Sequence, residues 1–130
     1  MSKSINKVIL VGNLGGDPEV RISHDDKKTA SFSLATSEKW RDKESDEKRE
    51  KTEWHRVVIF NQALVEVAEK YLSKGDKVYV EGSMHYRQWT DSDHKTHLIS
   101  EVVLQNYGSN LSILSSKIKG SNSLGSEFDA

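Results

Sequence analysis

Aromatic and cationic side chains alternate along residues 52–60, a segment that is otherwise apolar on one side. With the two-residue period of a β-strand, one face carries Trp54, Arg56, Val58 and Phe60, and the other carries His55, Val57 and Ile59. Rings that alternate with a guanidinium suit a polymer of flat bases joined by phosphates, because rings stack on bases and the cation meets the backbone. Arg87 and Trp89 repeat the spacing. The pattern predicts a nucleic-acid-binding surface.

Four rings are candidates for stacking on bases, namely Trp40, Trp54, Phe60 and Trp89. A tryptophan is often a core residue, but Arg56 shares a face with Trp54 and Phe60, and burial of an unpaired guanidinium would be costly. Trp40 falls on the same strand face as Phe32 and Leu34, which are expected to point toward the core. A β-bulge or the end of its strand would therefore be needed to turn Trp40 outward. At roughly 1–3 kcal/mol per stacked base, four rings would supply about 4–12 kcal/mol.

The composition favours a single polar domain without a strongly basic surface. The chain has 130 residues, of which 35% are hydrophobic and 30% charged, and 19 Lys+Arg against 20 Asp+Glu give a net charge of -1. A site for a polyanion must therefore be a local groove. The sequence has no cysteine and shows neither a signal peptide nor a membrane-spanning segment, so we expect the cytoplasm, in association with the nucleoid.

No group of residues indicates catalysis or a cofactor. The closest pair of histidines, His94 and His97, flanks a predicted hairpin turn and has no evident third ligand, so we expect no metal. The glycines of residues 12–16 follow a strand but no helix follows them, and they are typical of a turn. The sequence predicts neither an enzyme nor a bound cofactor.

Hydrophobic periodicity predicts mainly β-structure. Strands are expected over residues 4–14, 19–24, 29–37, 52–60, 78–90 and 96–105, with a short closing strand over 107–114. Residues 41–51 contain no apolar side chain and predict a mobile, charged loop, which would also serve as a flap over a bound strand. One helix is expected after Phe60, with Asn61 as N-cap, Gly75 as C-cap and a buried stripe of Leu64, Val65, Ala68, Tyr71 and Leu72.

This order of elements predicts an OB-fold. A barrel of three strands, a helix and two further strands is the layout of a five-stranded Greek-key OB barrel, with the helix between the third and fourth strands. We expect this domain to span residues 1–112. From residue 113 the sequence is rich in Ser, Gly, Asn and Lys, which predicts a disordered C-terminal tail over 113–130.

Six segments in order resemble the bacterial single-stranded DNA-binding proteins. In one-letter code they are NKVILVGNLGGDPEVR (6–21), LATSEKWRD (34–42), TEWHRVVIF (52–60), LSKG (72–75), VYVEG (78–82) and EVV (101–103). The resemblance covers about residues 4–112. It implies an OB-fold, a homotetramer around which single-stranded DNA wraps, and roles in replication, recombination and repair.

The resemblance also assigns expected roles to individual residues. It implies base stacking by Trp40, Trp54, Phe60 and Trp89, and so favours an outward position for Trp40. It implies phosphate contacts by the cations Lys7, Arg21, Arg56 and Arg87, and less directly by Lys3, Arg41, Lys74 and Lys77. The family usually ends in an acidic tip with Pro-Phe, whereas this chain ends Glu-Phe-Asp-Ala. The resemblance therefore gives no support for recruiting replication and repair proteins through that end.

A second interpretation is an OB-fold assembly module of the primosome type. Such a protein would keep the fold but bind single-stranded DNA weakly. Replacement of Trp54 and Trp89 distinguishes the two, because DNA affinity depends on these rings only in a true DNA-binding protein.

Overall fold

The computed structural model describes residues 3–116, which form seven strands and one helix. In chain order they are β1 (Val8–Leu14), β2 (Glu19–Ile22), β3 (Lys28–Arg41), β4 (Lys48–Ile59), α1 (Gln62–Tyr71), β5 (Lys77–Thr90), β6 (Thr96–Leu104) and β7 (Asn110–Ser115).

Five of these strands close into a barrel in the order β1-β3-β4-β6-β5, with β5 pairing back to β1. The pairing of β4 with β6 is parallel, and the other pairings are antiparallel. Strand β2 pairs with β3, and β7 pairs with β5, as additions to this ring. Three barrel strands precede the helix and two follow it, so the predicted OB-fold is confirmed.

The core lies inside the barrel and under the helix. Alternate residues of each barrel strand point inward, as the two-residue period requires. The fully buried inner side chains include Leu34, Ile59, Val80 and Leu104, and α1 adds Val65 and Ala68. The outer residues of the same strands are therefore available to form a surface.

Helix α1 begins as predicted but ends differently. The Asn61 side chain accepts hydrogen bonds from the backbone N–H of Ala63 and Leu64, so it is the N-cap. The predicted C-cap is wrong, because the helix ends at Leu72 in an extended conformation. Gly75 instead has φ 92° in the next turn and donates its N–H to the Leu14 carbonyl, which ties that turn to β1.

Two further details of the helix and of β4 differ from the prediction. Tyr71, expected in the buried stripe, is exposed at the end of α1. Val58, expected on the open outer face of β4, is buried. It lies between Ser31 of β3 and Val103 of β6, both paired with it, so neighbouring strands flank it on both sides.

The predicted loop over residues 41–51 is wrong. Strands β3 and β4 pair without a break as far as Arg41 and Lys48, so only residues 42–47 connect them. Ion pairs link Arg41 to Asp46 and Arg49 to Asp42 across this turn. Mixed charges here build a hairpin arm, because pairing of the backbone does not require apolar side chains.

The boundary predicted at residue 112 falls inside β7, which extends to Ser115. The predicted tail lies, from residue 117 onward, outside the described residues, as does the chain end discussed above. Within residues 3–116, no helix is long and apolar enough to cross a membrane.

Candidate nucleic-acid interface

The outer surface of β4, β6 and β5 brings the two predicted motifs together. Register places Arg56 of β4 beside Glu101 of β6, since Val57 pairs with Val102. On the other side of β6, Trp89 of β5 pairs with His97, and Arg87 pairs with Ile99. Trp54 and Arg56 thus face Arg87 and Trp89 across a single strand.

Glu101 connects the two arginines at the centre of this surface. Arg56 donates from Nε to Glu101 Oε2 at 2.7 Å, and Arg87 donates from Nε to Oε1 at 3.1 Å. Glu101 is only 7% exposed, whereas about half of each arginine side chain is exposed. One buried carboxylate therefore orients two guanidinium groups whose Nη atoms remain available to a ligand.

The same contacts keep Glu101 ionised. Burial alone would raise the pKa of its carboxyl, but the hydrogen bonds and charges of Arg87 and Arg56 outweigh burial and lower the pKa below its usual value. The centre of the surface therefore carries one negative and two positive charges, which is a net positive site within a nearly neutral protein.

Trp89 is held by a neighbouring imidazole. Its ring stacks on that of His97, with centroids 4.6 Å apart and planes 20° from parallel. His97 in turn donates from Nε2 to Asp91 Oδ2 at 2.7 Å. This hydrogen bond, with those from the backbone N–H of Lys95 and Asp93, lowers the pKa of Asp91. Trp89 remains 42% exposed, so part of its ring is open to a base.

Trp54 lies over the turn that follows β1. A Cβ atom added to Gly15 would lie 2.4 Å from Trp54 Cζ3, so the indole edge occupies the space that a side chain would need. Trp54 is nevertheless 63% exposed. The absence of a side chain at Gly15 thus leaves room for the Trp54 ring at this edge of the surface.

Trp40 reaches solvent near the end of β3, which is the second of the two ways considered from the sequence. The register of β3 with β4 is unbroken from Ala30 to Arg41, so no bulge turns Trp40 to the face of Trp54. It is exposed because residues on both faces of β3 from Glu38 onward are exposed, where the hairpin arm extends beyond the barrel.

Phe60 is exposed at the opposite end of β4, directly after the strand. It is six positions along the chain from Trp54, or about 20 Å at ~3.3 Å per residue. The structure therefore brings Trp54 and Trp89 together on one surface, with Trp40 and Phe60 beyond its two ends.

The remaining predicted cations are spread around this surface. Lys7 forms an ion pair with Glu81 at 2.9 Å, and this hydrogen bond raises the pKa of Lys7. Arg21 on β2 pairs with Glu19 at 2.7 Å, and Arg41 pairs with Asp46 at 3.3 Å. Each of these exposed cations has a carboxylate of its own as partner. Arg56 and Arg87 instead share the single carboxylate of Glu101.

Three further cations lie away from the two central arginines. Lys3 precedes β1, Lys77 begins β5, and Lys74 lies in the turn between α1 and β5. The backbone N–H of Lys74 donates to Asp17 Oδ1 at 2.8 Å. His55 is half-buried, and its Nε2 lies 2.8 Å from Thr36 Oγ1.

Sequence reasoning missed three residues that support the predicted ones: Gly15, His97 and Glu101. The contacts of Gly15 and Glu101 join residues distant in the chain, and His97 meets Trp89 across a hairpin whose register is not evident from the sequence. Glu101 is the one of the three with a weak indication in the sequence, because it is a single acidic residue directly before the apolar residues Val102–Leu104, which are buried. Among residues 3–116, no group of three or more His, Cys, Asp or Glu is placed to hold a metal.

The model of the single-strand binding protein family matches residues 5–110. This chain belongs to that family. The family resemblance inferred from the six sequence segments is confirmed.

Curated family members are similar over most of this chain. The single-stranded DNA-binding protein of Rickettsia prowazekii is 48% identical over 126 residues, which are 97% of this chain and 83% of that protein. That of Rhizobium meliloti is 50% identical over 114 residues, covering 88% and 66% of the two chains. The solved structure described as Plasmodium falciparum SSB complex with ssDNA superimposes with a TM-score of 0.80 at 42% identity, covering 88% of this chain and 99% of the other.

Proposed function

We propose that this chain is a non-enzymatic protein that binds single-stranded DNA largely without regard to sequence. The observation that carries the proposal is the surface on which Trp54 and Arg56 face Arg87 and Trp89 across β6. Membership of the single-strand binding protein family supports it. In this role the protein would protect single strands during replication, recombination and repair, at the nucleoid in the cytoplasm.

In the proposed complex, bases stack on the aromatic side chains. Trp54 and Trp89 would form the centre of the path, which would continue to Trp40 on the hairpin arm and to Phe60 at the far end of β4. Every base has a π-face, so stacking gives affinity without selecting a sequence. Bases are accessible only in single strands, and this would discriminate against duplex DNA.

Phosphates would meet cations along the same path. Arg56 and Arg87 are the strongest candidates, because Glu101 holds both through Nε while about half of each side chain stays exposed. The other proposed contacts are those of Lys3, Lys7, Arg21, Arg41, Lys74 and Lys77. For the cations that already pair with acids, phosphate would have to displace a carboxylate, so their contributions should be smaller.

We also propose that the protein forms a homotetramer. The first half of β1 pairs only with β5, since β3 joins β1 at Asn13 and Leu14 alone, so one edge of the strand is open among the described residues. Ile9 and Val11 are exposed on the outer face of that half. An open strand edge with exposed apolar side chains is a favourable surface for a second copy.

Titration with oligo(dT) tests the DNA-binding proposal. We expect tryptophan fluorescence to be quenched on binding, because the exposed indoles of Trp40, Trp54 and Trp89 would be covered by bases. The logarithm of affinity should fall as the logarithm of salt concentration rises, with a slope of about -0.7 per phosphate contact. Equal affinity for a duplex of the same length would contradict the proposal.

The alternative is an OB-fold assembly module with weak DNA binding. The variant Trp54→Ala/Trp89→Ala separates the two functions, with Trp54→Phe/Trp89→Phe as the control that keeps the rings. At roughly 1–3 kcal/mol per stacked base, the alanine variant should lose at least about 25-fold in affinity. Unchanged affinity in the alanine variant would favour the assembly module.

A further inference from the structure

A concave surface, separate from the outer face of β4, β6 and β5, lies at the Phe60 end of the barrel. It has a volume of about 530 Å³, within the roughly 300–1,000 Å³ typical of small-molecule sites. Three parts of the chain meet there: the β2–β3 turn with Lys27, next to Lys28 at the start of β3; the start of α1 with Gln62; and the β6–β7 connection with Asn106 and Tyr107. We call it the Phe60 pocket.

Hydrogen bonds tie the segment that leads to Tyr107 to the residues at the end of β4. Phe60 and Asn61 donate their N–H groups to the Leu104 carbonyl at 2.8 and 3.2 Å. The Asn61 side chain also donates from Nδ2 to the Gln105 carbonyl at 3.4 Å. The first residues after β6 are thus tied to the first residues after β4, and Tyr107 follows two residues later.

Tyr107 has no evident role in stability. It is 93% exposed, lies outside β7 and is absent from the core cluster. A large ring that is almost fully exposed and shares a pocket with a second exposed ring is well suited to contact a flat ligand. Tyr107, predicted in the closing strand over residues 107–114, lies in the β6–β7 connection and has no function predicted from the sequence.

The charges and amides of the pocket suit a nucleotide. Lys28 is paired with Glu69 at 3.0 Å, but Lys27 forms no ion pair within residues 3–116. Asp25 is the one carboxylate in the lining. A hydrogen bond from Ser23 lowers the pKa of Asp25, so its carboxyl stays ionised. A phosphate group would therefore avoid Asp25 and lie closer to Lys27. The side-chain amide of Asn106 can donate to and accept from base edges.

We propose that Tyr107 and Phe60 bind a base of single-stranded DNA in this pocket, and that Lys27 contacts the adjacent phosphate. Tyr107 would therefore be a stacking residue in addition to the four predicted from the sequence. The DNA path would extend past Phe60 across the end of the barrel. This inference rests on the proposed function, because it identifies a further contact for the same ligand.

The test compares Tyr107→Ala with Tyr107→Phe in the full chain, using fluorescence polarisation of labelled oligo(dT). We expect Tyr107→Ala to lower affinity by about fivefold to tenfold, as loss of one stacked base would, and Tyr107→Phe to stay within about twofold. Tyr71→Ala, which removes an exposed tyrosine from α1 outside the pocket, should not change affinity. Thermal unfolding should be unchanged in Tyr107→Ala, since the side chain is exposed.

Two further measurements identify the contact. Photocrosslinking to an oligonucleotide that contains 5-iododeoxyuridine should yield a peptide modified at Tyr107 or Phe60. Lys27→Ala should weaken binding and reduce the salt slope by about 1.

The outcomes separate this inference from the proposed function. If the wild-type chain binds oligo(dT) but Tyr107→Ala binds equally well, the Phe60 pocket is not a nucleotide site and the DNA-binding function stands. Equal losses in Tyr107→Ala and Tyr107→Phe would overturn the stacking role. If the wild-type chain does not bind oligo(dT), the proposed function itself fails.

Discussion

Arg56 Nε donates to Glu101 Oε2 at 2.7 Å, which places a buried acid at the centre of a surface proposed to bind a polyanion. An acid at such a position would repel phosphate if it stood alone. Because Arg87 binds its other oxygen, the group of three side chains has a net charge of +1. Glu101 is best understood as a positioning residue that holds two cations at a fixed separation.

The first prediction concerns the contribution of Glu101 to stability. Glu101→Gln should lower the free energy of unfolding at pH 7 by about 1–3 kcal/mol, since a buried acceptor for two charged donors loses its charge. The folded-state pKa of Glu101 is depressed, so its stabilisation is present above the unfolded value of about 4.3 and is lost as pH falls through the folded value.

Urea unfolding of both proteins between pH 3 and 7 checks this prediction. The difference between wild type and Glu101→Gln should shrink as pH falls below about 4.3. Glu66→Gln, which breaks an exposed ion pair with Lys70, is the control and should change stability much less. A constant difference over the whole pH range would show that the ionised form of Glu101 is not what stabilises the fold.

The second prediction concerns the space that Gly15 leaves for Trp54. Gly15→Ala should displace the indole, because the new Cβ would lie 2.4 Å from Trp54 Cζ3. Since an exposed ring can move without disrupting the core, we expect affinity for oligo(dT) to fall about threefold to tenfold, a large part of one stacking contact, while the melting temperature changes little.

Gly16→Ala is the matched control for Gly15→Ala, since nothing lies within 4 Å of a Cβ added at that position. Oligo(dT) binding by both variants should be measured under identical salt. Equal affinities in the two variants would show that the position of Trp54 does not matter for binding.

The third prediction concerns the imidazole behind Trp89. His97→Ala removes both the stack on Trp89 and the hydrogen bond to Asp91, so the indole loses its support. We expect affinity for oligo(dT) to fall about twofold to fivefold, because a mobile ring must be ordered on binding at a cost of roughly 0.5–1 kcal/mol.

Two variants control the His97 experiment. His97→Phe keeps a ring against Trp89 and should restore most of the affinity. His94→Asn replaces a histidine at the tip of the same hairpin, where φ is 63°, with a residue that tolerates this conformation, and should have no effect. If His97→Phe were as weak as His97→Ala, the hydrogen bond to Asp91 rather than the stack would be the important contact.

The fourth prediction concerns the proposed tetramer. Ile9→Lys should weaken association, because it places a charge on the exposed apolar face of β1 next to its open edge. Light scattering should show a lower mass than that of the wild type at the same concentration. Ile22→Lys, which changes an exposed isoleucine on β2, is the control, and equal masses for all three proteins would place the interface elsewhere.

The barrel was predictable from the sequence because strand alternation and helix capping depend on residues that are close together in the chain. Alternation along β3, β4 and β5 specifies which residues face inward, and the N-cap at Asn61 marks the start of the helix. The same alternation separated Trp54 and Arg56 from Val57 and Ile59 before any pairing was known. It failed at residues 41–51, because a strand that is exposed on both faces has no apolar period to detect.

By itself the sequence determined which residue types lie on the outer face and which residues of a strand share that face. Only the tertiary structure decided how they are supported, because the supporting contacts join distant segments. Glu101 meets Arg56 across 45 residues of chain, and Gly15 meets Trp54 only once β1 and β4 are in one barrel. Strand register, set by burial of the inner face, is the physical reason that these outer residues meet.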